Sequence, residues 1–247
     1  MHFISTRGGA PPVGFREALF AGLAPDGGLY VPAAIPAIDF DDLRDATLVE
    51  VGTAIASQFV GDAIRRDALA RLLAEALDFP LPLALVGDRA VLELFHGPTL
   101  AFKDVGARVM ARLMVHLHGD GEPLTVLVAT SGDTGSAVAH AFHGLAGTRV
   151  VVLFPEGGVT AVQAAQFCTL GGNVTAVEVA GTFDDCQRLA KAAFADRALA
   201  GRARLTSANS INIGRLLPQA FYFAHAALRS RQPVILSVPS GNFGNLT

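Results

Sequence analysis

One lysine stands where its side-chain amine could act as a nucleophile. Lys103 follows the turn-forming pair Gly97-Pro98 and the aromatic Phe102, and it opens an apolar, helix-periodic stretch that runs to about His118. The positive end of a helix and apolar neighbours both favour the neutral amine. A neutral amine attacks carbonyl carbons, so Lys103 is a candidate for a covalent bond to an aldehyde or ketone. The alternative is a lysine that lays its stem on the surface and keeps its charge in water.

A second group of candidates lies between a predicted strand, Leu124 to Ala129, and a predicted helix, Gly135 to His143. Small hydroxyl residues and glycine at this point would present N–H and O–H donors at a helix N-terminus, which binds anions. The alternative is an ordinary turn in which one of these side chains caps the helix. The spacing of a nucleotide-binding P-loop is missing, which argues against nucleotide hydrolysis. The candidates are Thr130, Ser131, Gly132, Asp133 and Thr134.

A glycine-containing segment follows the strand predicted at Val234 to Val238. Two glycines three residues apart, with serine and asparagine beside them, form a backbone cup that suits a phosphate monoester. The Gly-x-Gly-x-x-Gly spacing of dinucleotide-binding folds does not occur here. The residues of this predicted phosphate cup are Ser240, Gly241, Asn242, Phe243, Gly244 and Asn245.

A third polar passage, Ser207 to Arg215, leads into a helix predicted from about Ile211 to Leu228. Ser210 is predicted to cap this helix, and Asn212 and Arg215 would share one face of its first turn. An arginine near the positive end of a helix is better explained when an anion accompanies it. The alternative is a solvated arginine on the surface.

The lysine, the cup and the two polar passages together match the needs of a pyridoxal 5′-phosphate enzyme. The lysine would form the Schiff base, the cup would hold the cofactor phosphate, and another loop would hold a substrate carboxylate. The combination is far more specific than any one of its parts.

The elements around these loops alternate between strand and helix. Further strands are predicted at Arg149 to Phe154 and Asn173 to Val179, and helices at Thr160 to Leu170 and Thr182 to Phe194. This order predicts an α/β fold with a mainly parallel sheet flanked by helices, which gathers ligands outside the carboxyl ends of its strands. The predicted divisions are an N-terminal helical and irregular segment at residues 1–80, an α/β domain at 81–230, and the start of a second, incomplete α/β domain at 231–247.

The first eighty residues are rich in Gly and Pro and carry two predicted helices, Thr47 to Val60 and Ile64 to Leu77. We expect them to pack on the α/β body.

Composition narrows the class of protein. The chain has 247 residues, of which 51% are hydrophobic and 17% charged, with a formal net charge of −3. A substantial core is therefore expected, and scattered basic residues with a slight negative charge argue against nucleic-acid binding. The N-terminus lacks a signal sequence, and no apolar run is long enough for a membrane span, so we expect a soluble, cytoplasmic protein without membrane partners. Cys168 and Cys186 are isolated, which predicts buried thiols rather than a metal site or a disulfide.

The chain resembles the threonine synthases, a family of fold type II pyridoxal-phosphate enzymes, and the resemblance runs along its length. The segments that carry it are Ser5 to Gly8, Gly22 to Pro32, His96 to Asp104, Thr130 to Gly135, Phe167 to Gly172, Asn209 to Arg215 and Pro239 to Thr247. The resemblance implies that Lys103 forms the internal aldimine and that the cup holds the cofactor phosphate. It also implies that the loop from Thr130 to Thr134 wraps the substrate carboxylate, with Asp133 near the 3′-oxygen of the cofactor. For the phosphate of the substrate it implies His96, Thr99, Asn209, Ser210, Asn212 and Arg215.

The reaction implied by the resemblance converts O-phospho-L-homoserine and water into L-threonine and phosphate. Threonine synthases of this type are longer, so we expect the second domain to be incomplete and folding or activity to be impaired unless another chain completes it. A related phospho-lyase that yields 2-oxobutanoate, and a non-catalytic fragment that binds the cofactor or a partner, are the alternatives.

Overall fold

The structure is a computed structural model, and it describes residues 1–200, 202–230, 233–240 and 245. Of the predicted phosphate cup, Gly241, Asn242, Phe243 and Gly244 lie outside these residues. No helix among the described residues is both long and apolar enough to cross a membrane.

Two small antiparallel sheets and three α-helices precede the main body. The first sheet pairs two short strands, and the second is a hairpin. Neither sheet was predicted, because strands of three or four residues are too short to show a period. In chain order the elements are β1 (Phe3–Ser5), α1 (Phe15–Ala21), β2 (Tyr30–Pro32), α2 (Leu48–Val60), α3 (Arg66–Ala76), β3 (Leu83–Val86) and β4 (Arg89–Leu92).

The body is a parallel sheet of four strands with helices between them, as the alternation predicted. Its strands lie in the order β7 (Val174–Val179), β6 (Thr148–Pro155), β5 (Leu124–Ala129) and β8 (Arg204–Ser207), and all run parallel. The fold class inferred from the sequence is therefore confirmed. The elements are α4 (Lys103–His118), β5 (Leu124–Ala129), α5 (Asp133–Phe142), β6 (Thr148–Pro155), α6 (Ala161–Cys168), β7 (Val174–Val179), α7 (Phe183–Ala195), α8 (Arg197–Ala200), β8 (Arg204–Ser207), α9 (Ile213–Leu216) and α10 (Gln219–Leu228).

Alternate residues of the central strands enter two separate cores. Val126 and Val128 of β5 belong to the large core that also holds Phe142 of α5, whereas Leu127 packs with Cys186 of α7 in a small one. Successive side chains of a strand point to opposite faces of the sheet, and both faces are covered here. The strands are therefore continuous apolar runs in the sequence.

Two sequence predictions about the C-terminal part are wrong. The single helix predicted from Ile211 to Leu228 is split into α9 and α10 at Pro218, whose ring removes a backbone donor inside a helix. The strand predicted at Val234 to Val238 does not form: this segment pairs with no strand of the described chain, and Ile235 is fully exposed. Residues with high β-propensity need a neighbouring strand to supply hydrogen bonds, and propensity alone does not create one.

The two cysteines differ in environment. Cys186 is buried as expected, but Cys168 is exposed, which corrects the prediction. Phe167, the residue before it in α6, points inward, and consecutive helical residues face directions about 100° apart.

The N-terminal segment shares the large core with the α/β body. Phe3 and Leu19 belong to the same cluster as Met110 of α4, so the core runs across the division predicted at residues 80 and 81. A buried arginine of α4 also connects the N-terminal segment to the α/β body. Arg108 donates to the carbonyls of Glu75 and Ala76 at the end of α3. These terminal carbonyls lack partners within their own helix, so Arg108 caps α3 while it joins it to α4. The position of the division stays a prediction.

Glycine allows the helix that begins at Lys103 to approach α9 closely. A Cβ on Gly106 would lie 2.9 Å from the carbonyl oxygen of Arg215. On the other side of the contact, a Cβ on Gly214 would lie 2.9 Å from Cγ of Met110 in α4, and it would also collide with Leu19 of α1. The two glycines thus set the distance between α4 and the helix that carries Arg215.

We expect Gly106→Ala to lower the free energy of unfolding by about 1–2 kcal/mol, because overpacking outweighs the gain in helix propensity. Urea unfolding followed by circular dichroism measures the change. Gly121→Ala is the control, since no atom lies closer than 3.7 Å to the added Cβ. Equal stability of the Gly106 variant and the wild type would contradict the packing constraint.

The stability of the fold should also depend on pH through His225 of α10. This side chain is buried, and its Nδ1 lies 2.8 Å from Nη1 of Arg229, which can only donate. Burial, and then the charge of Arg229, lowers the pKa of His225 to about 4 from 6.5. Neutral His225 therefore contributes stability that is fully present above pH 6.5 and is lost as the pH falls towards 4.

We expect His225→Gln to flatten the decline in unfolding free energy between pH 6.5 and 4. Thermal melts across this range provide the measurement. His2→Gln, which changes an exposed histidine, should keep the slope of the wild type. An unchanged slope in the His225 variant would show that its protonation is not linked to folding.

Candidate active site at the carboxyl ends of the strands

Lys103 is the first residue of α4 and has an acidic partner. Its Nζ lies 3.3 Å from Oδ2 of Asp133 and 4.6 Å from the centre of the Phe102 ring. The lysine side chain is 21% exposed, so a small carbonyl compound can reach the amine. The start of the helix at Lys103 and the neighbouring Phe102 ring were predicted from the sequence. The contact with Asp133 was not, because it results from the packing of α4 against α5.

The loop before Lys103 is held by a buried carboxylate. Asp104 is fully buried and accepts hydrogen bonds from the backbone N–H of Thr99 at 2.9 Å and from its hydroxyl at 2.7 Å. A Cβ on Gly97 would collide with this carboxylate, and Leu100 adopts a φ of 59°, which is uncommon for a residue with a side chain. The two hydrogen bonds stabilise this loop conformation and so locate the start of α4.

The loop after β5 is organised by Thr130. Its hydroxyl accepts from the N–H groups of Gly132 and Gly135 at 3.0 and 2.8 Å, and it donates to the carbonyl of Gly132 at 2.8 Å. Thr130 therefore shapes the loop from within. Ser131 is exposed and Thr134 is half-buried, so these two residues and the backbone at the start of α5 are placed to meet a ligand.

Asp133 is held on its second oxygen by a residue that sequence reasoning missed. Nε2 of Gln163 donates to Oδ1 of Asp133 at 2.8 Å. This hydrogen bond, together with the smaller influence of the Lys103 charge, holds the pKa of Asp133 below its usual value. The signal was available in the sequence, since Thr160-x-x-Gln163 has the spacing of a capping box, but nothing in that pattern shows where the glutamine amide points.

The passage from Asn209 to Arg215 divides between structural and candidate binding residues. Asn212, not Ser210 as predicted, caps α9, because its Oδ1 accepts from Gly214 N–H at 2.8 Å. Its Nδ2 donates to the carbonyl of Leu19 at 2.8 Å, so both ends of the amide are occupied within the fold. Asn209 and Ser210 follow β8 at the same edge of the sheet as the Thr130 loop, because β8 lies beside β5.

Arg215 is buried rather than solvated, which excludes the surface alternative. It is 5% exposed, and Nη1 donates to the carbonyl of Ala208 at 3.1 Å. Its Nε has no hydrogen-bond partner among the described residues, and burial lowers its pKa to about 10. A buried guanidinium with an unused donor suits an anion.

The other predicted phosphate ligands are less well placed. His96 is exposed, and its Nε2 lies 2.7 Å from a carboxylate oxygen of Glu93. The hydroxyl of Thr99 is turned to Asp104. Of the phosphate cup, Ser240 is half-buried, and Asn245 is buried with an Oδ1 that has no partner among the described residues. The remaining cup residues lie outside the described chain, so their geometry stays a prediction.

Comparison with known proteins defines the class of this protein. Residues 89–246 match the family described as pyridoxal-phosphate dependent enzyme, which is more than half of the chain. The chain therefore belongs to the pyridoxal-phosphate dependent enzymes. Residues 2–77 match a second family, described as threonine synthase N terminus.

The similar proteins are threonine synthases, which confirms the resemblance seen in the sequence. The enzymes of Serratia marcescens and Escherichia coli K12 are each 46% identical over 243 residues, covering 95% of this chain and 56% of the relative. The crystal structure of threonine synthase from Escherichia coli matches with a TM-score of 0.91 at 44% identity, over 100% of this chain and 59% of that one. The structure of pyridoxal-phosphate-bound threonine synthase from Brucella melitensis matches with a TM-score of 0.92 at 42% identity, over 100% of this chain and 56% of that one. The chain thus spans somewhat more than half the length of these relatives.

The hydrogen bonds around Asp104 give a testable prediction. We expect Asp104→Ala to lower the free energy of unfolding by about 3 kcal/mol, because two bonds to a buried carboxylate are lost and the donors of Thr99 are left unpaired. Asp67→Ala, at an exposed ion pair with Arg71, is the control and should change stability far less. Urea unfolding of both variants measures the change in free energy. Equal decreases would show that the Asp104 contacts contribute no more to stability than a surface ion pair.

Proposed function

We propose that this chain carries the cofactor lysine and the substrate loops of a threonine synthase, which converts O-phospho-L-homoserine and water into L-threonine and phosphate. The observation that carries the proposal is the amine of Lys103 facing Asp133 at the carboxyl ends of a parallel sheet. The similarity to threonine synthases along the whole chain supports the same reaction.

The residues present fit pyridoxal phosphate. A partly exposed primary amine suits its aldehyde, and the carboxylate of Asp133 stands next to that amine. Lys103 would hold the aldehyde carbon, and Ser240, Gly241, Asn242, Phe243, Gly244 and Asn245 would hold the phosphate. When bound, this cofactor supplies an electron sink for negative charge that develops on the carbons of an amino-acid substrate.

The chain's own residues would orient the substrate and move its protons. As a free amine, Nζ of Lys103 would act as the general base that accepts the proton from Cα of the substrate. Asp133 stabilises the ammonium that forms, since it lies within ion-pair distance. Ser131, Thr134 and the N–H groups at the start of α5 bind the substrate carboxylate, with Thr130 and Gly132 shaping their loop.

The phosphate of the substrate is assigned to the region of Arg215. Its buried guanidinium has an Nε–H donor with no partner among the described residues, and its Nη1 donates to the carbonyl of Ala208, the residue after β8. His96, Thr99, Asn209 and Ser210 complete the proposed set, while Asn212 supports it by capping α9.

Replacement of the lysine tests the proposal. We expect Lys103→Ala to abolish covalent attachment of pyridoxal phosphate and to lower any threonine formation by about 10²- to 10⁴-fold, the usual contribution of a general base. Absorbance of the bound cofactor, borohydride reduction with peptide mapping, and assay of threonine against 2-oxobutanoate are the measurements.

Lys191→Ala is the matched control, because the sequence contains only these two lysines and Lys191 lies exposed on α7. Cofactor found on Lys191, or on neither lysine, would refute the role of Lys103. Release of 2-oxobutanoate without threonine would assign the chain to the phospho-lyases instead.

A further inference from the structure

The amide of Gln163 has a fixed orientation. Gln163 is the third residue of α6, and its Oε1 accepts from the backbone N–H and the hydroxyl of Thr160, each at 3.1 Å. Because the amide oxygen is used in this capping box, the amide nitrogen must point the other way. It points at the loop that follows β5.

The nitrogen reaches one oxygen of Asp133 while the other oxygen faces the lysine. Nε2 of Gln163 lies 2.8 Å from Oδ1 of Asp133, and Nζ of Lys103 lies 3.3 Å from Oδ2. A carboxylate bound at both oxygens cannot rotate freely. The glutamine therefore restricts Asp133 to the orientation that pairs with the ammonium.

The backbone of the loop makes room for this contact. A Cβ on Gly132 would collide with the amide of Gln163, and Gly132 adopts a φ of 149°, which side chains disfavour. A glycine is thus required at the point where α6 reaches the loop. Among the described residues, Lys103 is the charged group that acts on the Asp133 carboxylate.

We propose that Gln163 is a positioning residue that fixes Asp133 against Lys103 and so controls how readily the lysine amine reacts. The amide donates to Asp133 without adding charge, so it orients the carboxylate and leaves its attraction for the lysine intact. A glutamate here would keep the cap but repel Asp133. The consequence for catalysis rests on the proposed function of Lys103, whereas the line of contacts from Thr160 to Lys103 does not.

The reactivity of Lys103 without cofactor tests the proposal. The full chain is freed of bound carbonyl compounds with hydroxylamine and trace-labelled with acetic anhydride at one pH, and peptide mass spectrometry gives the labelling of Lys103 relative to Lys191. We expect Gln163→Met to raise this ratio about two- to fivefold, as expected for loss of a partly exposed ion pair. Asp133→Asn should raise it equally, and the double variant should show no further increase.

The matched control removes the same type of cap elsewhere. Glu50 is the third residue of α2 and forms a capping box with Thr47. Glu50→Met should leave the ratio at the wild-type value. Thr160→Ala should raise the ratio less than Gln163→Met, because the backbone N–H that orients the amide remains.

An unchanged ratio in Gln163→Met, or in Asp133→Asn, would overturn the proposal. A second measurement avoids dependence on labelling: carbon NMR of the Asp133 carboxyl should show a higher pKa in Gln163→Met than in the wild type, and equal values would also overturn it. If the ratio rises as expected but pyridoxal phosphate does not attach to Lys103, the proposed function fails while the positioning role stands.

Discussion

The parallel pairing of β5 with β6 and β8 is the constraint on which the candidate site depends. Parallel strands share one direction, so the loops that leave their carboxyl ends meet at one edge of the sheet. This pairing brings the Thr130 loop beside the passage that starts at Ala208, although almost eighty residues separate them in sequence. It also explains why polar side chains gather at one edge while the strands themselves are apolar on both faces.

The helices then place individual groups at that edge. Lys103 is the first residue of α4, Asp133 is the first residue of α5, and Gln163 lies in the first turn of α6. Each helix is held at this end by hydrogen bonds to a polar side chain, which is Asp104 in the first turn of α4, Thr130 before α5 and Thr160 before α6. The same bonds that satisfy free backbone donors therefore also locate the reactive groups.

Much of this could be predicted because it depends on local patterns. The helix from Lys103 to His118 and the strand from Leu124 to Ala129 match their predicted bounds, since apolar periodicity and flanking turn residues set both. The split at Pro218 was missed although the proline is visible, because apolar residues continue on both sides of it. The strand predicted at Val234 to Val238 shows a limit of local patterns. Its residues have high β-propensity, but no described strand pairs with it.

The sequence by itself determined the fold class, the lysine and the polar loops around it, because residue type and spacing decide propensity, capping and chemical capacity. Only the tertiary structure decided which polar groups meet. Asp133 and Gln163 lie thirty residues apart, and Thr99 and Gln166 lie further apart still, yet both pairs are in hydrogen-bond contact. It also showed that Arg215 is buried and that the amide of Asn212 is occupied within the fold. The physical reason is that such contacts depend on how helices pack on the sheet, and packing depends on the shapes of many distant side chains at once.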